Sequence, residues 1–153
     1  VARALIVGCG CRGRELGRDL LEQGWAVRGT SRREEGLATI EAAGIEPALA
    51  DPEQPATLLD LVADVAAVHW LLGSASGSEE NLAAIHGPRL ERFLERLVET
   101  PVRSFVYEAS GTVAPELLER GAGIVRVAGE RWRIPVEIVN TEAHPRSQRF
   151  FDA

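Results

Sequence analysis

A short apolar run that ends in a cluster of glycines constrains this chain more than any other feature. Ala4-Leu5-Ile6-Val7 leads straight into Gly8-Cys9-Gly10-Cys11-Arg12-Gly13, and an amphipathic stretch begins at once. The pattern is G-x-G-x-x-G set between a strand and a helix, the one context in which its geometry has meaning. Gly8 allows the tight turn, Gly10 lets the backbone approach a pyrophosphate, and Gly13 lets the helix pack closely on the strand. Amides at the helix start, around Cys11 and Arg12, would meet an anion with the positive end of the helix dipole. The bland alternative is a glycine-rich turn with no ligand. The full strand–loop–helix–strand unit favours dinucleotide binding over it.

The rest of the chain alternates in the same way. Hydrophobic periodicity predicts strands over residues 2–7, 25–30, 45–49, 65–72, 102–108 and 136–139, and helices over 12–23, 33–43, 55–62 and 115–133. Residues 65–72 are apolar almost throughout, as a central parallel strand should be. A long helix with Leu90, Phe93, Leu94, Leu97 and Val98 at helical spacing is expected to kink or restart at Gly87-Pro88. The helix over 115–133 carries Leu117, Leu118, Ile124, Val127 and Trp132, although Gly121 and Gly123 weaken that reading. The prediction is an α/β fold: one doubly wound parallel sheet of six strands in the order 3-2-1-4-5-6, a single domain over residues 1–140. A polar tail, 141–153, contains His144 and Phe150-Phe151. Ligands of such sheets bind at the carboxyl ends of the strands, near the switch between the first and fourth.

The tip of the second strand bears on which dinucleotide would bind. NAD sites usually place a carboxylate there for the ribose hydroxyls. This chain has Gly29-Thr30-Ser31-Arg32-Arg33. Two guanidiniums and two hydroxyls suit a 2′-phosphate, which Arg grips in a fork. NADP is therefore expected over NAD. The alternative is that Arg32 and Arg33 merely open an amphipathic helix and pair with Glu34 and Glu35.

Composition excludes several classes. The net charge is −6, whereas a nucleic-acid binder is more often basic. All 17 basic residues are Arg, so no lysine is present for a Schiff base or a P-loop. No apolar run is long enough for a membrane span, and the N-terminal run lacks a signal-peptide pattern, so a soluble cytoplasmic protein is expected. Cys9 and Cys11 are too close for an unstrained disulfide. With only His69, His86 and His144 scattered along the chain, no metal site is expected. Cys11, at a helix start, is a candidate reactive thiol.

Residues 4–16 together with 24–32 resemble the start of an extended or atypical short-chain dehydrogenase/reductase of the nucleotide-sugar epimerase type. The likeness runs over roughly residues 2–112. It implies a Rossmann domain that binds NAD(P), with Asp51 near the adenine and Leu71-Leu72-Gly73 lining the cofactor. Arg103-Ser104-Phe105-Val106-Tyr107-Glu108-Ala109-Ser110-Gly111 is similar to the stretch that ends in the family's catalytic Ser, which makes Ser110 the candidate catalytic residue. The resemblance also implies a homodimer through the long helix before the fifth strand and the helix after it. Three departures stand out. Arg12 replaces the apolar residue usual inside the glycine loop. The family's Tyr-x-x-x-Lys pair belongs on the helix after the fifth strand, where this chain has neither residue; its one Tyr, Tyr107, lies within that strand. The family's substrate-binding C-terminal region is also not expected, since the sequence ends soon after the sixth strand.

Three functions stay open on this reading, and whether the chain is an enzyme stays open with them. One is an NADP(H)-binding Rossmann protein without the standard hydride-transfer pair, which senses cofactor or binds a second small molecule. Another is a small NADP-linked oxidoreductase or epimerase-like enzyme that uses Ser110, His69 or a partner subunit's residues. The third is an interaction module that keeps the fold without the ligand. Ser110 has a plain alternative as a helix cap or turn hydroxyl, and His69 as a buried, hydrogen-bonded core histidine.

Overall fold

The apolar run ahead of the glycine loop becomes an inner strand of a six-stranded sheet. The computed structural model describes residues 1–140. Its elements alternate as β1 (Arg3–Val7), α1 (Cys11–Glu22), β2 (Ala26–Ser31), α2 (Glu34–Ala42), β3 (Glu46–Leu49), α3 (Pro55–Leu59), β4 (Ala67–Trp70), α4 (Glu79–Ile85), α5 (Pro88–Leu97), β5 (Ser104–Glu108), α6 (Pro115–Trp132) and β6 (Val136–Val139). The order across the sheet is β3-β2-β1-β4-β5-β6. All neighbouring strands pair in parallel. The sequence predicts this doubly wound topology. The tail residues singled out above, His144 and Phe150-Phe151, lie outside the described residues.

Strand alternation sorts the core into two layers. Leu5 and Val7 share one layer with Val68, Trp70, Phe105 and Tyr107, against Leu58 of α3, Phe93 of α5 and Val125 of α6. Ala4 and Ile6 turn the other way, toward Leu16 and Leu20 of α1 and Ile40 of α2. Trp70 packs on Phe93 and Phe105 with ring centroids 5.5 and 6.2 Å apart. Each such side chain contributes about 2 kcal/mol by leaving water. A side chain at Gly17 would strike Ile45, so glycine there sets how closely α1 approaches the sheet. Near the amino ends of the strands, Arg28 ties Glu46 to Asp64, and the Asp64 hydrogen bond strengthens its hold on its proton.

Three local features matter for the site, the first being a fourth strand shorter than the 65–72 expected. β4 is short, and Leu71-Leu72-Gly73 leave the ladder after one further bond, from Leu71 N–H to the Val7 carbonyl at 2.9 Å. The long helix restarts at Gly87-Pro88, as the sequence predicts, and so forms two helices. Proline cannot donate the amide that would continue the first, so α5 starts afresh at Pro88, and the break turns His86 into the interior, where it is fully buried. In α6 the buried face is Leu118, Gly121, Ala122, Val125 and Ala128, while Val127 is 62% exposed. The reason is Tyr107, whose hydroxyl occupies the space a side chain at Gly121 would need. The helix therefore turns its small residues to the sheet.

Candidate functional site

The carboxyl ends of β1, β2 and β4 border a cleft of about 560 Å³. Its floor is the glycine loop. Gly8 has φ +85°, which disfavours any side chain, and a Cβ there would lie 2.6 Å from the Leu71 carbonyl oxygen. The turn is held by Gly10 N–H donating to the Gly8 carbonyl and Arg14 N–H to the Gly10 carbonyl, both at 2.8 Å. Cys9 N–H donates to the Thr30 carbonyl at 3.1 Å and so fixes the loop to β2. Gly10 caps α1 without a side-chain acceptor, and the first turn holds no acid. A methyl group on Gly10 would meet nothing within 4 Å, so the backbone on this side is open to a ligand. The arrangement fits an anion at a helix start.

Ten of the residues assigned to cofactor by sequence line the cleft: Gly8, Gly10, Cys11, Arg12, Gly13, Thr30, Ser31, Arg32, Leu71 and Leu72. Four other assigned positions lie elsewhere. Arg33 is the exposed residue that precedes α2. Asp51 accepts from Glu53 N–H at 2.9 Å, while its neighbours Ala50 and Pro52 reach the cleft. Gly73 is buried and donates its N–H to Glu108 Oε1 at 2.9 Å. Ser110 is buried and lines a separate hollow with Pro115, Leu118 and Arg126.

The hydroxyls at the β2 tip already serve the backbone. Thr30 Oγ1 accepts from Gly8 N–H at 3.3 Å, and Ser31 Oγ donates to the Arg33 carbonyl at 2.8 Å. Positive charge is what remains. Arg12, Arg14 and Arg32 line the cleft, and none of its described lining residues is acidic. Among the described residues neither Arg32 nor Arg33 forms an ion pair with Glu34 or Glu35. Arg32 Nη2 instead donates to the Ser76 carbonyl at 3.2 Å.

Sequence reasoning missed most of the far wall. Residues 74–76, a strap of small residues just after β4, line the cleft; their place at the topological switch was the available signal. Glu108 is fully buried at the end of β5, and its Oε2 lies 3.1 Å from Arg12 Nη2. Arg12 Nη2 also donates to Ser74 Oγ at 3.1 Å. Behind the strap, Tyr107 O–H and His86 Nδ1 lie 2.6 Å apart, and His86 Nε2 is 2.9 Å from the Leu72 carbonyl. The carbonyl requires a proton on Nε2, so Nδ1 of the neutral ring accepts from the tyrosine. Burial pulls the His86 pKa down, partly offset by the Leu72 carbonyl, and burial with the Glu108 charge raises that of Tyr107. Burial also pushes Cys9 up to about 11 and His69 down to about 4. Cys9 is therefore a packed thiol, while Cys11 is exposed in the cleft. His69 borders a different hollow, with Leu16, Leu20 and Glu137.

No family model matches the chain, and no curated protein matches it. Solved structures do. A short-chain dehydrogenase/reductase superfamily protein from Agrobacterium tumefaciens with bound NAD is 22% identical, with a TM-score of 0.74 over 90% of this chain and 48% of that one. UDP-glucuronic acid 4-epimerase from Bacillus cereus in complex with NAD is 14% identical, with a TM-score of 0.70 over 90% and 55%. Citrobacter sp. triphenylmethane reductase complexed with NADP(H) is 18% identical, with a TM-score of 0.66 over 92% and 49%. The chain thus spans about half the length of these proteins, and what it shares with them is the fold.

Proposed function

We propose that this chain binds NADP(H) along the glycine loop and does so without a Tyr-x-x-x-Lys pair, as a cofactor sensor or as the binding site for a second small molecule. One observation carries the reading: three arginines and no described acidic residue line a cleft whose floor is the open backbone of a helix start. A pyrophosphate would rest on the first-turn amides of α1. A 2′-phosphate would lie at Arg32, whose guanidinium now donates to a neutral carbonyl that a phosphate outcompetes. Bound NAD and NADP(H) in proteins of the same fold support the ligand class.

Calorimetric titration with NADPH and NADH tests it. NADPH is expected to bind at least tenfold tighter, and Arg32→Ala to weaken NADPH about tenfold while leaving NADH nearly unchanged, the loss of one charge-assisted phosphate contact. Binding of neither dinucleotide rejects the proposal, and tighter NADH binding rejects the 2′-phosphate assignment.

A second reading, an NADP-linked reductase or epimerase, draws on Ser110 lying just beyond β5 at the carboxyl end of the sheet. NADPH turnover on aldehydes, ketones or nucleotide sugars that disappears in Ser110→Ala would favour it. The free thiols Cys9 and Cys11 suit the reducing cytoplasm, which is the location proposed. Exposed Val98 and Val127, beside α5 and on α6, support a homodimer through these helices, which sedimentation would detect.

A further inference from the structure

Arg12 sits where its side chain crosses the cleft. Its backbone belongs to the first turn of α1 on one wall, and its guanidinium reaches Ser74 Oγ and Glu108 Oε2, both at 3.1 Å, on the other. Glu108 is fully buried, and its second oxygen accepts from Gly73 N–H. Withdrawing Arg12 would take a cation away from that buried carboxylate, which makes the bridge costly to open.

Beyond the bridge the two strand tips are stitched together. Thr112 N–H donates to Ser74 Oγ at 3.2 Å, and Val113 N–H to the Gly73 carbonyl at 2.9 Å. A side chain at Gly73 would collide with the Ser110 carbonyl. Among the described residues, Ser110 therefore lies behind this seam and opens on a hollow bordered by Pro115, Leu118 and Arg126, apart from the glycine-loop cleft. The cleft itself extends the other way, past Arg32 and Thr39 toward Pro52.

We infer that the Arg12–Glu108 bridge makes this a site for the adenosine-diphosphate half of the dinucleotide, with the nicotinamide kept out of the space between the glycine loop and the tip of β5. The inference rests on the dinucleotide reading above and assigns Arg12 as the specificity-determining residue. The diphosphate lies on the first-turn amides and the adenosine runs toward Arg32. The bridge stops the second ribose from following the floor to Ser110. A ligand that lacks nicotinamide should then lose little.

The test titrates the full chain with NADPH and with 2′-phospho-ADP-ribose, which keeps every group except the nicotinamide. The two dissociation constants are expected to agree within fivefold, and the emission maximum of bound NADPH to stay where free NADPH emits, since the ring remains in water. A preference for NADPH above fivefold, or a blue-shifted emission, overturns the inference while leaving dinucleotide binding intact. Binding of neither ligand overturns the dinucleotide reading and this inference with it. The double variant Arg12→Met/Glu108→Gln removes both charges together and keeps an acceptor for Gly73. In it the NADPH preference should rise above fivefold; an unchanged ratio overturns the role of Arg12. The native comparison stands whether or not this variant folds.

Discussion

On the β1–β2 side of the cleft the wall is backbone. Gly8, Gly10 and the first turn of α1 present amides, and the Cys9 amide and Thr30 carbonyl bind that wall to the sheet. On the β4–β5 side the wall is held by side chains far apart in sequence: Glu108 on the Gly73 amide and Arg12, Ser74 on the Thr112 amide, His86 on the Leu72 carbonyl. A backbone wall is specified locally, by where glycine falls. A side-chain wall is specified by pairs that only the fold brings together, and it can change character through a single residue. Ligand type should follow the first wall, and how much of the ligand is held should follow the second.

The largest effect should come from breaking the backbone wall. Gly8→Val puts a β-branched side chain at φ +85° and its Cβ against the Leu71 carbonyl. Positive-φ strain and overpacking together predict a loss of about 4 kcal/mol, read as a fall in the urea midpoint. A loss below about 1 kcal/mol would show that the loop relaxes at little cost and that the wall is not set by Gly8. Next comes the side-chain wall. Glu108→Ala leaves the Gly73 amide and Arg12 without their shared carboxylate and should cost about 3 kcal/mol, the low end for a broken buried pair because Arg12 keeps some solvent contact. An unchanged midpoint would mean that the buried carboxylate does not hold the two strand tips together.

This contrast also explains what the sequence made legible. The sheet order and the glycine loop follow from short-range pattern: apolar runs of strand length, helical spacing between them, and Gly8, Gly10 and Gly13 directly after β1. The Arg12–Glu108 contact joins residues in the first turn of α1 and the last position of β5, and no spacing rule links them. Glu108 reads as a polar end to a strand, and its complete burial appears only once β4 and α1 close over it. His86 reads as a polar residue ahead of a proline. It enters the core because α5 cannot continue α4 through Pro88. The buried face of α6 is hidden for a related reason, since helical spacing ranks faces by hydrophobicity and Tyr107 selects small residues instead.

The smallest effect expected lies behind the side-chain wall. Tyr107→Phe deletes the hydroxyl that donates to His86 Nδ1, leaving a buried acceptor unmet, and should cost about 2 kcal/mol near neutral pH. The same pair predicts an acid sensitivity. Burial depresses the His86 pKa in the fold, so the folded state favours the neutral ring. Its contribution is fully present above the unfolded value, about 6.5, and is lost as pH falls through the depressed folded one. Urea midpoints taken from pH 7.5 down to pH 5 should therefore decline. His86→Gln, which cannot titrate, should flatten that decline without abolishing it, because His69, pushed down to about 4 by burial, loses stability over an overlapping range with the same sign. An identical decline in wild type and His86→Gln would place the whole acid response on His69 and other groups. His86 would then hold the Leu72 carbonyl without tuning the far wall to pH.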